Sequence, residues 1–340
     1  MAAYTTIDDP SAYFKVQLYT GDGTDNRAIT FDDTDTDMQP DFLWIKDRDS
    51  GFAHAIFDAV RGSSKMLVSS SSDAEQTDAG SGGLTSFDAD GFTTDAGGGS
   101  NPYRNTNQDT DNYVAWCWKE SVTAGFDILT YTGNATNRTI AHNLSAVPQV
   151  VIVKRTDATT AWSSLHLNGV GSEYRMVLND NTAKEDDATM WQDTDPTSSV
   201  FTLGTSSSTN VNTGTFVAYL FAPKQGYSAM GSYTGNGDND GTFVYTGFRP
   251  AFLMFKNADA GSSNWQIYDN KRHGYNSANE LFRANANNAG ADVDPIDILS
   301  NGFKQLNTAA SNNVSGQTYI YMAFAEAPFV NSNGVPCNAR

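Results

Sequence analysis

Residues 233–256 read YTGNGDNDGTFVYTGFRPAFLMFK, a turn-rich segment that runs into an apolar strand. Its Tyr-Thr-Gly start returns at residues 19–21 and 131–133, so the three copies lie 112 and 102 residues apart. A proline six residues before a lysine, with a largely apolar run between them, occurs in every copy: Pro40 to Lys46, Pro148 to Lys154 and Pro250 to Lys256. Self-similarity at a nearly fixed period indicates three tandem modules.

Further landmarks recur in the same order. An aromatic or aliphatic segment follows each lysine, at residues 54–58, 162–166 and 265–269. Each copy then closes on a continuous apolar run, at residues 113–118, 216–221 and 319–324. In copies one and three, Arg61 and Arg272 stand three residues after an aspartate and are predicted to form local ion pairs that brace a turn. Copy two lacks this arginine.

The polarity of the runs predicts the fold class. The opening strand of each copy alternates in polarity, whereas the proline-to-lysine run and the closing run are apolar on both faces, as in central strands covered on each side. Short strands separated by Gly, Asn, Asp and Ser turns indicate an all-β protein of three antiparallel β-sandwich, jelly-roll-like modules. We place the modules at residues 1–122, 123–224 and 225–340. Because the linkers are very short, we expect a rigid line or arc of modules.

Charge and termini restrict the partners. The chain carries 21 Lys and Arg against 39 Asp and Glu, a net charge of −18. Phosphate backbones and anionic lipids repel such a chain, so we expect neither nucleic-acid binding nor membrane insertion. The first residues show no signal peptide, which predicts synthesis in the cytoplasm. Two cysteines form no disulfide framework, and Cys117, inside an apolar run, is predicted to be a small core residue.

The search for chemistry finds little. The four histidines never take metal-site or catalytic spacing, and no nucleophile stands with a base, so we expect no enzyme and no cofactor. Asn236, Asp238 and Asp240 match the first half of a calcium loop, but position twelve is Gly247, and an Asx turn is the preferred reading. Of the six tryptophans, Trp191 is the one expected to be exposed, and so to stack on a glycan.

The segments PDFLWIK, FDAVRG and YVAWCWK of copy one, with IYDNKR, DILSNGFK and YIYMAFAEAPF of copy three, resemble a repeated module of virion structural proteins. That family, often described as tail-fibre-like, occurs in marine tailed bacteriophages, including those of cyanobacteria. The resemblance covers nearly the whole chain after about residue 12 and is strongest in copies one and three. It implies a component of the virion and does not say which part of the particle.

Two functions follow as expectations. The first is a non-enzymatic structural protein on the particle surface, as a tail fibre, tail appendage or capsid decoration, that acts through interfaces with other virion proteins. The second is a host-recognition adhesin that binds cell-surface glycan. In both cases a symmetric homo-oligomer is expected, with a trimer as the first choice.

Overall fold

The computed structural model describes residues 3–31, 36–77, 83–96 and 105–337. Strands dominate it, and every strand pairing is antiparallel. Within these ranges, helical structure is limited to a 3₁₀ turn at Pro10–Ala12 and three single-turn α-helices, α1 (Leu167–Val170), α2 (Ala188–Trp191) and α3 (Ser207–Asn210). The predicted all-β antiparallel class is confirmed.

The strands of the first module are β1 (Phe14–Thr20), β2 (Arg27–Thr30), β3 (Phe42–Asp47), β4 (Ala55–Asp58), β5 (Lys65–Met66), β6 (Gln76–Thr77), β7 (Leu84–Asp88), β8 (Gly91–Thr94) and β9 (Asn112–Trp118). Those of the second are β10 (Phe126–Thr132), β11 (Arg138–Ala141), β12 (Val150–Arg155), β13 (Ser163–His166), β14 (Tyr174–Val177), β15 (Glu185–Asp186), β16 (Val200–Leu203) and β17 (Thr215–Phe221). Those of the third are β18 (Ser228–Thr234), β19 (Phe243–Tyr245), β20 (Phe248–Asn257), β21 (Gln266–Asp269), β22 (Ala278–Arg283), β23 (Ala291–Leu299), β24 (Gly302–Gln305) and β25 (Thr318–Pro328).

Each module contains a main sheet with the same strand order. The opening strand pairs with the closing strand, which pairs with the proline-to-lysine strand, which pairs with the strand after it. These orders are β1-β9-β3-β4, β10-β17-β12-β13 and β18-β25-β20-β21. Smaller antiparallel pairings, β2-β8-β7, β11-β16 and β19-β24-β23, lie outside this common set of four. No strand pairs across a module boundary within the described residues.

The central strands are buried on both faces, as the sequence predicts. All six residues of β3 are buried, as are six of the seven in β9 and in β17. Alternating side chains therefore point into two different cores. One set packs inside its own module, for example Leu43 and Ala115 in the first. The other set packs into a single cluster shared by all three modules.

The shared cluster lies where the three main sheets meet. Aromatic rings from each module contact rings from the other two: Phe42 lies 4.8 Å from Tyr219, Trp118 lies 5.2 Å from Phe252, and Phe221 lies 5.8 Å from Phe324, measured between ring centroids. The first module therefore contacts the second, the second contacts the third, and the third contacts the first. The expected line or arc is wrong: the modules close into a ring about a pseudo-threefold axis.

The two ends of the chain meet on the third module. The Tyr4 hydroxyl donates to the Gly247 carbonyl at 2.8 Å and lies 3.1 Å from the Tyr245 hydroxyl. The Asp8 carboxylate accepts the Ser332 backbone N–H at 2.6 Å. The N-terminal arm thus fastens the module that is last in sequence, which reinforces closure of the ring.

Truncating a ring of the shared cluster should destabilise the whole chain. We expect Trp118→Ala, Phe221→Ala and Phe252→Ala each to lower the free energy of unfolding by about 3 to 5 kcal/mol, because each opens a cavity in the common core. Chemical denaturation followed by near- and far-ultraviolet circular dichroism should give one coincident transition in every case. The exposed Val122→Ala serves as control, with a change within about 0.5 kcal/mol. A variant in which one module melts separately would contradict a shared core.

Candidate functional site

The boundaries between modules, which we call seams, repeat the same backbone hydrogen bond three times. The backbone carbonyl two residues after the lysine that recurs in each copy (Lys46, Lys154 or Lys256) accepts an N–H from the neighbouring module. Gly290 donates to Arg48 at 3.0 Å, Glu75 donates to Thr156 at 2.8 Å, and Lys184 donates to Ala258 at 2.8 Å. The donors come from modules three, one and two, so these contacts run around the ring in one direction.

A buried aromatic side chain crosses each seam in the same way. The Trp162 indole donates to the Val68 carbonyl at 2.9 Å, and the Trp265 indole donates to the Val177 carbonyl at 2.8 Å. In the first module His54 takes this position, with Nε2 lying 3.0 Å from the Arg283 carbonyl. Since Nδ1 of His54 accepts the Trp44 indole N–H at 2.7 Å, Nε2 carries the proton and donates. Burial lowers the pKa of His54 well below its usual value.

Two of the seams contain a buried ion pair. Arg61 Nε lies 2.5 Å from Asp58 Oδ2, and Arg272 Nε lies 2.6 Å from Asp269 Oδ2. The predicted local pairs are therefore confirmed. The sequence did not predict that each aspartate also accepts a donor from the next module: the Tyr219 hydroxyl at 2.7 Å on Asp58, and the Trp116 indole at 3.0 Å on Asp269.

The remaining seam has no ion pair at the corresponding position, which His166 and Met322 occupy. His166 replaces the aspartate, and Met322 stands where the other closing strands place Tyr219 and Trp116. The acceptor and its inter-module donor are lost together. The His166 ring packs 5.4 Å from the Trp265 ring, and burial lowers the pKa of His166 to about 3, so it is neutral. Here α1 lies against β18 and β25: a Cβ added at Gly169 would come within 2.3 Å of the Ile320 side chain, so only glycine permits this approach.

The lysine that recurs in each copy is fully buried: Lys46, Lys154 and Lys256 are each 0% exposed. Their ammonium groups donate to backbone carbonyls; Lys154, for example, bonds Ser72 of the first module at 3.3 Å and Arg155 at 2.8 Å. Burial lowers the pKa of all three to about 8, because carbonyl oxygens replace only part of the hydration of the ammonium.

The half calcium loop is an Asx turn. Asn236 Oδ1 accepts the Asp238 N–H at 3.0 Å, and Asp238 Oδ1 accepts the Asp240 N–H at 2.9 Å. Asn313 donates to Asn236 Oδ1 at 2.7 Å, and the Lys304 ammonium bonds Asp240. Turn hydrogen bonds and an ammonium thus engage one side-chain oxygen each of Asn236, Asp238 and Asp240. Across the described ranges, no group of three or more His, Cys, Asp or Glu is arranged to hold a metal ion.

The prediction that Trp191 is exposed is wrong. Trp191 is 1% exposed and packs in the core of the second module with Met190, Phe201 and Leu203. It ends α2, a single helical turn capped by the Asp187 side chain, which turns the indole inward. A ring in this position cannot stack on a sugar, so the glycan-binding prediction for Trp191 lacks the surface it needs.

A groove on the third module is open instead. Its volume is about 620 Å³, and it lies between the segment after β21 and the turn that joins β23 to β24. We call it the third-module groove. The side chains that line it include Arg249, Tyr275, Asn276, Asn301 and Glu326. Sequence reasoning missed it, because the only signal was an insertion after Arg272 that copies one and two do not share.

A protein-family profile described as Domain of unknown function (DUF7483) matches residues 9–328, and the chain belongs to that family. The matched region ends with the last residue of β25 and takes in all three modules as one unit. None of the curated proteins compared matches the chain. Within the described ranges, no helix has the length and apolar character needed to cross a bilayer.

The buried ion pairs should matter far more than surface pairs. We expect Arg272→Met to lower the free energy of unfolding by about 3 to 5 kcal/mol, because it leaves the Asp269 carboxylate buried without its cation. Arg155→Met is the matched control: its pair with Asp157, at 2.7 Å, is partly exposed and should contribute about 0 to 1 kcal/mol. Urea denaturation of both variants checks this, and equal losses would contradict the assignment.

Stability should depend on pH through the buried lysines. The pKa of Lys256 is about 8 in the folded chain against 10.5 for an ordinary lysine, so between these values the unfolded state holds a proton that the folded state has released. Stability from this group therefore rises with pH across that window. Relative to Lys256→Met, the wild type should gain about 1 to 2 kcal/mol between pH 8 and 9.5.

The exposed Lys271→Met is the control for that experiment and should show no such difference. Denaturation midpoints at several pH values, converted to free energies, give both difference curves. If the stability difference between the wild type and Lys256→Met does not change with pH, the Lys256 ammonium of the wild type is as well solvated in the folded chain as in the unfolded one.

Proposed function

We propose that the protein is a non-enzymatic structural component of a bacteriophage particle, as a tail fibre, tail appendage or capsid decoration, that works through interfaces with other virion proteins. The observation that carries this proposal is the closed ring: three modules in one chain share one core and three buried seams. The virion location itself rests on the resemblance of the repeats to phage structural proteins.

The ring suits such a role for a physical reason. Its aromatic cluster and the aspartates of its buried ion pairs join neighbouring modules, as does the buried Lys154, and these groups are shielded from solvent. A block held together in this way keeps its shape when neighbours pull on it, and its outer loops remain available for contacts. One chain also supplies a pseudo-threefold object that would otherwise require three subunits. Further association into a homo-oligomer remains a proposal.

A second candidate function is host recognition, in which the chain acts as an adhesin for cell-surface glycan. One observation favours it: the third-module groove presents a Tyr275 side chain that is 79% exposed. The two functions are compatible, because a structural component at the tip of a tail can also bind the host.

Locating the chain on purified particles tests the structural role. Antibodies raised against the purified protein should label intact particles from a lysate of the phage that encodes it, at symmetric positions visible by immunogold electron microscopy. Labelling of free protein in the lysate, with none on purified particles, would contradict the proposal. Labelling confined to the capsid, together with no inhibition of infection by added protein, would remove the adhesin and leave the structural role.

A further inference from the structure

The exposed aromatic side chains of the ring are unevenly distributed. Among the described residues, the large hydrophobic side chains with high exposure include three aromatics: Phe243 at 44%, Tyr245 at 55% and Tyr275 at 79%. All three belong to the third module. A single exposed ring on a flat surface needs no explanation, whereas an exposed ring that lines a concave, partly polar site is a candidate binding surface. Within the described residues, the strongly exposed aromatic rings thus lie on one module of a pseudo-threefold object, which makes that face different from the others.

Tyr275 is the most exposed of the three, and its backbone is held in place. The adjacent Asn276 side chain donates to the Ile298 carbonyl at 3.0 Å and accepts the Ile298 N–H at 2.9 Å, which ties the segment to β23. The Tyr275 N–H donates to the His273 carbonyl at 2.8 Å. A tyrosine presents a broad, rigid contact surface with little side-chain entropy to lose. The backbone at Tyr275 is therefore held in place, while its aromatic side chain is open to solvent.

The other groups of the groove are polar and mixed in charge. Arg249 and Glu326 form an ion pair on one side, with the Arg249 guanidinium bonded to the Glu326 carboxylate. Asn301 lies at the β23–β24 turn, where its carbonyl accepts the Thr246 N–H at 3.0 Å. An amide, a carboxylate and a guanidinium offer both donors and acceptors. Concave sites that combine an apolar platform with a few fixed polar groups are typical of small-ligand and oligosaccharide sites.

We propose that the third-module groove binds a neutral carbohydrate, with a sugar ring stacked on Tyr275 and its hydroxyl groups bonded to Asn301 and to the Arg249–Glu326 pair. A pyranose has an apolar C–H face and a rim of hydroxyls, which matches this combination. A neutral sugar also fits the net charge of −18, since a polyanionic glycan would be repelled. The inference rests on the second proposed function, host recognition, and places it at a site other than Trp191.

An array of purified bacterial surface polysaccharides, neutral and acidic, tests this with the full-length protein. Wild-type protein should bind one or more neutral members, and Tyr275→Ala should weaken that binding by at least about tenfold. Tyr275→Phe should retain most of it, because the stacking face is kept. Phe243→Ala, which removes another exposed ring of the same module outside the groove, should bind like the wild type. All variants should unfold at the wild-type temperature, because the substituted side chains are exposed.

The outcomes separate the site from the function. Binding of neutral polysaccharide that Tyr275→Ala does not weaken would overturn the assignment of the binding site to the groove and leave the proposed adhesin function in place. Wild-type protein that binds no polysaccharide on the array would overturn both. Binding confined to acidic polysaccharides, or to peptide controls on the same array, would overturn the assignment of ligand class.

Discussion

The ring depends on the burial of both faces of each main sheet. Strands such as β3 and β17 are apolar on both sides, so one face packs inside the module and the other must find a second apolar surface. Among the residues that the structure describes, no second layer of the same module covers that face. The three modules cover it for one another, and rings such as Trp118, Phe221 and Phe252 meet at the axis. At roughly 25 cal/mol for each Å² of apolar surface, leaving about 400 Å² of such a face in water would cost about 10 kcal/mol, which is comparable to the whole stability of an ordinary domain.

Polar groups then fix how the modules meet. Apolar contact alone is not directional, whereas an indole or hydroxyl donor buried at a seam must find an acceptor. Trp116 reaches Asp269 and Tyr219 reaches Asp58, each carboxylate also held by its own arginine. Where the acceptor has become His166, the donor position holds Met322. The donor and acceptor vary as a unit between copies, which is the behaviour expected of groups that would be costly to bury alone.

Sequence reasoning predicted the part of this structure that repeats. The Tyr-Thr-Gly, proline-to-lysine and closing segments all fall on or beside the expected strands, because the polarity pattern within each short segment is enough to predict a strand. Closure into a ring was beyond that reasoning, since Trp116 and Asp269 are 153 residues apart and nothing local relates them. The prediction for Trp191 was wrong for a related reason: this tryptophan lies outside the predicted strands, but one capped helical turn points its indole into the core. The loss of the arginine in copy two was visible in the sequence, but the matching change to Met322 across the seam could not be related to it without the structure.

The repeats also explain where new properties can arise. Any change at the axis or the seams must be matched in the neighbouring module, so those positions are tied to one another. Outer turns carry no such constraint: the Asx turns at Asp22, Asn134 and Asn236 keep the same hydrogen bonds to Asn107, Asn210 and Asn313 yet differ in length and charge. The insertion after Arg272 lies on this unconstrained side, one turn away from the buried pair with Asp269. The third module can therefore acquire a groove and exposed aromatic rings while its inner sheet keeps the geometry that the other two modules require.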